Sequence, residues 1–186
     1  LFTLRVFEPR YLELVKECVM TGRGFGVCLI AKGHEVGGGD ERYDYGTVSE
    51  ILQAVEIGSG QLAISCVGRK RFRVLRWLED SPYPKAIVEI EEVPDSELIK
   101  QEQVDELRPV LLKIADTVSE LSGIKQGKVV PSSTNMIEEI YHLAEHSYLG
   151  AYDRYKVLSS ETLEARFNLL FQLLRDLDEM YTGELK

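Results

Sequence analysis

The sequence predicts an α+β fold: a barrel-like β region with one inserted helix, followed by a C-terminal helical bundle. Three observations lead there. Short β-branched and aromatic segments separated by turn residues fill the chain up to Pro94. A single stretch with helical spacing interrupts them early, and beyond Pro94 the apolar residues recur at intervals of three and four. The spacing divides the chain into a β-rich part over residues 1–95 and a helical part over 96–186.

The first strand should end at Phe7, because Pro9 has no N–H to lose at a first helical position and Glu8 suits the positive end of a helix dipole. Tyr11, Leu12, Val15, Cys18 and Val19 then fall on one helical face, and Gly22 is placed to end the helix. This helix should plug or cover the barrel. Arg10, at the corner, is expected to hold a carboxylate, with Glu8 a candidate.

The strands follow as "FGVCLIA" (25–31), "TVSEILQAVEI" (47–57), "QLAISCV" (61–67), "RFRVLRWL" (71–78) and "KAIVEIEEV" (85–93). The first of these is apolar on both sides and should be central. Leu62, Ile64 and Cys66 alternate with polar or small neighbours, as Ala86, Val88 and Ile90 do with Lys85, Glu89 and Glu91, so each of those strands should bury one side. The "GSG" of 58–60 supplies left-handed positions for a hairpin. The glycine-rich run from Gly33 to Tyr45 reads as a mobile loop. In "RFRVLRWL" the apolar phase moves from Phe72 and Val74 to Leu75 and Trp77, which a bulge would explain.

In the second half, Leu107, Leu111, Ile114, Val118 and Leu121 mark a helix stopped by Ser122 and Gly123, with a boundary or kink expected at Pro109. "TNMIEEIYHLAEHSY" (134–148) reads as a second helix. Leu163, Phe167, Leu170, Leu174, Leu177 and Tyr181 form the longest seam, preceded by a cap-like "SSE" at 159–161.

Composition bounds the function. The 186 residues are 44% apolar and 28% charged, with a net charge of −9. Residues 1–97 hold 12 basic and 16 acidic side chains and residues 98–186 hold 10 and 15, so neither half is a basic nucleic-acid arm. Cys18, Cys28 and Cys66 sit far apart in apolar surroundings, which fits buried thiols in a reducing, cytoplasmic compartment. No membrane span, secretion signal or cofactor is expected.

Motif-like fragments offer little chemistry. "HLAEH" (142–146) fits H-x-x-E-H, in which two histidines grip zinc and a glutamate activates water. Yet Met136, Ile140, Leu143 and Ala144 define the inner face, which leaves His142, Glu145 and His146 beside or outside it. Glu164 or Glu179 would have to supply a third ligand, and no spacing singles them out, so no metal is expected. "GRGFG" (22–26) and "GIKQGK" (123–128) lack the spacing of phosphate-binding loops, and no G-x-S-x-G elbow is present. Arg69, Arg71 and Arg73 share one strand face and could meet RNA. The alternative is that they solvate that face and pair with Glu50, Glu56, Glu79 or Glu89.

The order of segments resembles a known family. "LRVFEPRYLELV" with Phe7, Glu8, Pro9, Arg10 and Tyr11 at the corner, "GFGVCLIA", "YGTVSEIL", "LAISCVGRKRFRV" and "YPKAIVEIEEV" look like the amino-terminal substrate-binding domain of Lon-type ATP-dependent proteases. The resemblance implies a PUA-like β pseudo-barrel followed by helices. Leu1 and Phe2 pass straight to Thr3 and Leu4 where the family usually has an L-F-P turn. The P-loop and the Ser-Lys dyad of full-length Lon enzymes have no counterpart in these 186 residues, so no catalytic role carries over, and the chain reads as a freestanding or excised recognition domain. The expected activity is therefore binding of unfolded or exposed apolar polypeptide segments, in association with an ATP-dependent protease. The expected contacts are the aromatics Tyr43, Tyr45, Trp77, Tyr83, Tyr148 and Tyr152, on a shallow surface between barrel and helices. An RNA-binding PUA-like protein using Arg69, Arg71 and Arg73 is the other reading.

Overall fold

A computed structural model describes residues 1–33, 39–92, 99–123, 133 and 135–184. The chain forms two compact units, Leu1–Glu92 and Val93–Lys186, in an α+β fold of a curled antiparallel half-barrel sheet and helices.

In the first unit, β1 (Phe2–Val6) gives way to α1 (Pro9–Thr21) at the proline corner, and Gly22 closes the helix in a left-handed cap with φ 66°. Then come β2 (Phe25–Lys32), β3 (Glu41–Gly58), β4 (Gln61–Trp77) and β5 (Ala86–Glu91). The β3–β4 hairpin turns through Ser59 and Gly60, both at positive φ (53° and 71°), as a two-residue loop between right-twisted strands requires. β4 is the spine: β3 pairs with it along one edge, and β1 and β5 share the other, β1 opposite Leu62–Cys66 and β5 opposite Arg71–Trp77. Val6, Val15, Ile64 and Cys66 form the buried centre, with Tyr11 and Leu12 packed against it, so α1 covers the sheet.

Several sequence expectations change here. The two segments of 61–78 are one continuous strand, because Gly68 to Lys70 keep their pairing with β3 across the supposed gap. The register slips between Val74 and Arg76, and the extra residue is Leu75, which is exposed while Trp77 returns to the side of Phe72 and Val74. β3 begins at Glu41, so Tyr43 and Tyr45 belong to a strand rather than to a loop; residues 34–38 lie outside the described residues. β2 is not central: it stands last in the strand order β1-β4-β3-β2 and, among the described residues, pairs with β3 alone, because the position between two strands is taken by β3 and β4, the two longest. Val19 is exposed, at the rim of the α1 face. Val88 and Ile90 also keep solvent access, because the half-barrel leaves their side of β5 partly open.

The second unit contains α2 (Gln101–Ser122), α3 (Met136–Glu145), α4 (Ala151–Ser159) and α5 (Leu163–Glu184). The seams meet nearly as spaced: Leu107, Leu111 and Ile114 of α2 and Leu163, Phe167, Leu170 and Leu174 of α5 are buried in one core with Ile140 and Leu143 of α3, Val118, Leu177 and Tyr181 pack against it, and Leu121, in the last turn of α2, is exposed. Gly123 caps α2 at φ 68°. Pro109 is no boundary, for α2 starts eight residues before it and runs through. The missing N–H leaves the Asp105 carbonyl without its usual helical donor, and burial of Leu107 and Leu111 on either side offsets that loss. α4 has no counterpart among the elements expected from sequence. The cap of α5 is Thr162, whose Oγ1 accepts from the Ala165 N–H at 3.0 Å, while in the expected "SSE" cap Ser159 is the last residue of α4 and Ser160 its C-cap.

Candidate functional site

The β unit encloses a hollow of about 670 Å³. Its walls follow from the strand alternation and the proline corner. Inward residues of β4 and β5 (Phe72, Trp77, Val88) face Tyr11 and Val15 of α1, and Val27 of β2 closes the side. Phe7, the last residue before the corner, lines it while remaining 49% exposed. An apolar lining that keeps access to water is what a site for apolar groups requires.

Polar groups meet this lining in two partly buried ion pairs. Glu8 stands at the N-cap of α1, but its carboxylate makes no bond to the helix amides; it accepts from Arg10 Nε at 3.0 Å instead. The Arg10 guanidinium also lies 4.5 Å from the Tyr11 ring centroid. Burial works to lower the Arg10 pKa, yet the hydrogen bond to Glu8 and its charge prevail and hold it above the ordinary value. The carboxylate partner expected from the sequence is therefore present. Arg10→Ala should lower stability by about 1–3 kcal/mol, read as a shift in the thermal unfolding curve; an unchanged curve would reject a structural role for the pair. The second pair was not foreseen: Arg42 Nη2 donates to Asp40 Oδ2 at 3.1 Å, and its guanidinium sits 5.4 Å from the Trp77 ring centroid. The only sequence sign of it is the alternation of Asp40 and Arg42 at the start of a strand.

Tyr83, which is buried, and Cys28, which is partly buried, are weak acids with a measurable consequence. The hydrogen bond from the Tyr83 hydroxyl to the Glu17 carboxylate, and then burial, push its pKa from 10.0 up to about 12. Burial pushes the Cys28 thiol from 9.0 up to about 11. Both groups hold their protons longer folded than unfolded, so their contribution is complete below pH 9 and is lost as pH rises, from 9 to 11 for Cys28 and from 10 to 12 for Tyr83. Urea midpoints measured against pH should fall across that window, and Tyr83→Phe should flatten the upper part. Cys18 and Cys66 are buried free thiols, also raised by burial.

The expected aromatics lie in different places. Tyr43, Tyr45, Trp77 and Tyr83 belong to the β unit, Tyr148 and Tyr152 to the helical unit. Of the six, Trp77 lines the hollow. Tyr45 lies under Arg71 at 4.9 Å, Tyr83 is buried, Tyr148 packs on the helical core, and Tyr152 is exposed beside Tyr155.

Two arginines of the stripe are engaged in ion pairs. Arg69 Nε donates to Glu50 at 2.7 Å, Arg71 pairs with Glu91, and Arg73 stands opposite Glu89 in the β4–β5 register. In the HLAEH segment α3 ends at Glu145, and His146 is its C-cap, with Nδ1 2.9 Å from the His142 carbonyl oxygen rather than turned toward the His142 ring. Glu164 and Glu179 lie on α5. Among the described residues no three His, Cys, Asp or Glu side chains are gathered so as to hold a metal ion, and no helix is long and apolar enough to cross a membrane.

Comparison with known proteins gives a consistent picture. Residues 1–176 match the family described as the ATP-dependent protease La (LON) substrate-binding domain. The Lon protease of Anaeromyxobacter dehalogenans (strain 2CP-C) is 27% identical over 179 residues, covering 92% of this chain and 20% of that protein. Lon protease 2 of Myxococcus xanthus is 27% identical over 180 residues, covering 92% and 21%. The chain thus spans about a fifth of the length of these relatives. Among solved structures, a Lon N-terminal domain protein from Xanthomonas campestris aligns with a TM-score of 0.63 at 30% identity, over 94% of this chain and 88% of that one. The N-terminal domain of the Mycobacterium avium complex Lon protease aligns at 0.59 and 17% identity, over 94% and 90%, a likeness of fold alone.

Proposed function

This chain belongs to the family of Lon protease substrate-binding domains, and we propose that it is a non-catalytic module that binds exposed apolar segments of unfolded polypeptides for an ATP-dependent protease. The observation that carries the reading is the hollow of the β unit, where Phe7, Val27, Trp77 and Val88 offer apolar surface open to water. Concave, largely apolar sites with a few polar groups among the lining are where ligands bind. Binding there needs neither a nucleophile nor a metal, and a lining of Phe, Trp, Val and Tyr accepts many apolar side chains at modest affinity, as promiscuous recognition requires.

Trp77 is the single tryptophan, so its fluorescence reports on the hollow itself. Titration with a reduced, unfolded protein should give a saturable change with micromolar or weaker affinity. Phe7→Ala removes an exposed aromatic from the lining and should weaken binding by about fivefold to thirtyfold, the effect of losing about 1–2 kcal/mol of apolar contact, with little change in unfolding. If unfolded chains leave the fluorescence unchanged while RNA alters it, polypeptide binding is the wrong assignment and the arginine-bearing strand is the surface to test.

A further inference from the structure

β2 has a sequence suited to two neighbours, and the described residues give it one. Phe25, Val27, Cys28, Leu29, Ile30 and Ala31 make it apolar on both faces, the pattern of a strand inside a sheet. Among the described residues its only pairing is with β3, from Phe25 opposite Ser49 to Lys32 opposite Glu41. Long apolar edge strands are normally blunted by charge, proline or a covering element, because their open N–H and C=O groups template another strand. Within β2 the sole charge is Lys32, at its end, and there is no proline. The same strand walls the hollow through Val27 and Ile30, and Gly26 and Val27 are exposed.

We infer that β2 is completed by its ligand: an extended polypeptide segment adds as a strand along the free edge of β2, and its alternate side chains enter the hollow. This rests on the polypeptide reading above and specifies its mode. An edge recognises the backbone, which every polypeptide shares, while the hollow asks only that alternate side chains be apolar. A hollow of about 670 Å³ suits a few side chains of such a segment rather than a folded surface. Charge acts here at long range rather than in the lining, where Glu8 and Asp40 are held by Arg10 and Arg42: the protein carries 31 acidic against 22 basic residues, which favours a neutral or basic segment.

The test uses a soluble peptide as long as β2, with alternating Val and Thr and lysines at both ends. Two methylated forms accompany it, one N-methylated on the amides of each edge. The unmethylated peptide should perturb Trp77 and slow amide hydrogen exchange within Phe25–Lys32. One methylated form should bind at least tenfold more weakly, because several backbone hydrogen bonds of about 1 kcal/mol each are lost, and the other should bind nearly unchanged. Glutamate ends in place of lysines should weaken binding at low salt, and the difference should vanish at high salt. Equal binding of both methylated forms, or protection elsewhere than β2, overturns strand addition while the hollow remains the site. Protection of β2 that appears without peptide and rises with protein concentration assigns the edge to a second copy and overturns the inference. Silence from both the peptides and unfolded proteins removes the polypeptide reading as well.

Discussion

Gly46→Ala should destabilise the β unit by about 3 kcal/mol or more, at the upper end of what overpacking costs. Gly46 is buried in β3, opposite Cys28 on one side and Phe72 on the other. A Cβ built there would lie 2.5 Å from Phe72 Cζ, 2.5 Å from the Val27 carbonyl oxygen and 2.7 Å from Cys28 Sγ. The ring could tilt, but the Val27 carbonyl is part of the neighbouring strand, so relief requires β2 to move away from β3. The expected result is a large loss in urea midpoint followed by Trp77 fluorescence, with weaker polypeptide binding because Val27 walls the hollow. Gly183→Ala is the control: nothing lies within 4 Å of its Cβ position, inside α5, so alanine should be neutral or stabilising by up to about 1 kcal/mol. Equal effects of the two substitutions would show that the contact around Gly46 is not the constraint.

Arg108→Met is the second change with a large expected effect, now in the helical unit. The Glu139 carboxylate on α3 is 6% exposed and accepts from Arg108 of α2 and from the Ser133 N–H at 2.8 Å. Removing the arginine leaves a buried carboxylate without its countercharge, a loss of about 3–5 kcal/mol. The double change Arg108→Met with Glu139→Leu removes both charges and should recover most of that, since an apolar replacement of a buried pair is close to neutral. Helical circular dichroism during urea unfolding measures both. A double variant as unstable as the single one would place the cost in packing of the arginine stem rather than in the unpaired charge.

Much of the architecture was legible in the sequence because the relevant signals are local. Pro9 fixes its own φ and lacks a donor, so it opens α1 wherever the chain goes next; Gly22 and Gly123 end their helices for the equivalent reason at positive φ. The slip near Leu75 shows as a change of alternation, and the α5 seam shows as spacing. α4 escaped notice because only Val157 of its nine residues is buried, which leaves almost no periodic signal. The boundary expected at Pro109 is absent for the opposite reason: a local penalty was read correctly, and packing of α2 overrode it.

The candidate site was half legible. The corner from Phe7 to Tyr11 and the ion pair of Arg10 with Glu8 could be read from neighbouring residues, and Trp77 was singled out. That Phe7 and Trp77 share a hollow, that Tyr83 is turned inward onto Glu17, and that Arg42 stands over Trp77 could not, since each joins residues tens of positions apart. By itself the sequence determined both ends of α1, the glycine stop of α2, the β3–β4 hairpin and the apolar seam of α5, because backbone sterics and side-chain periodicity act within a few residues. Only the tertiary structure decided that β4 takes the inner position and β2 the end of the strand order, and hence which apolar strand has, among the described residues, an open side. Strand order is set by which long-range pairings bury the most surface together, and a strand's own composition is the same whichever neighbour it meets.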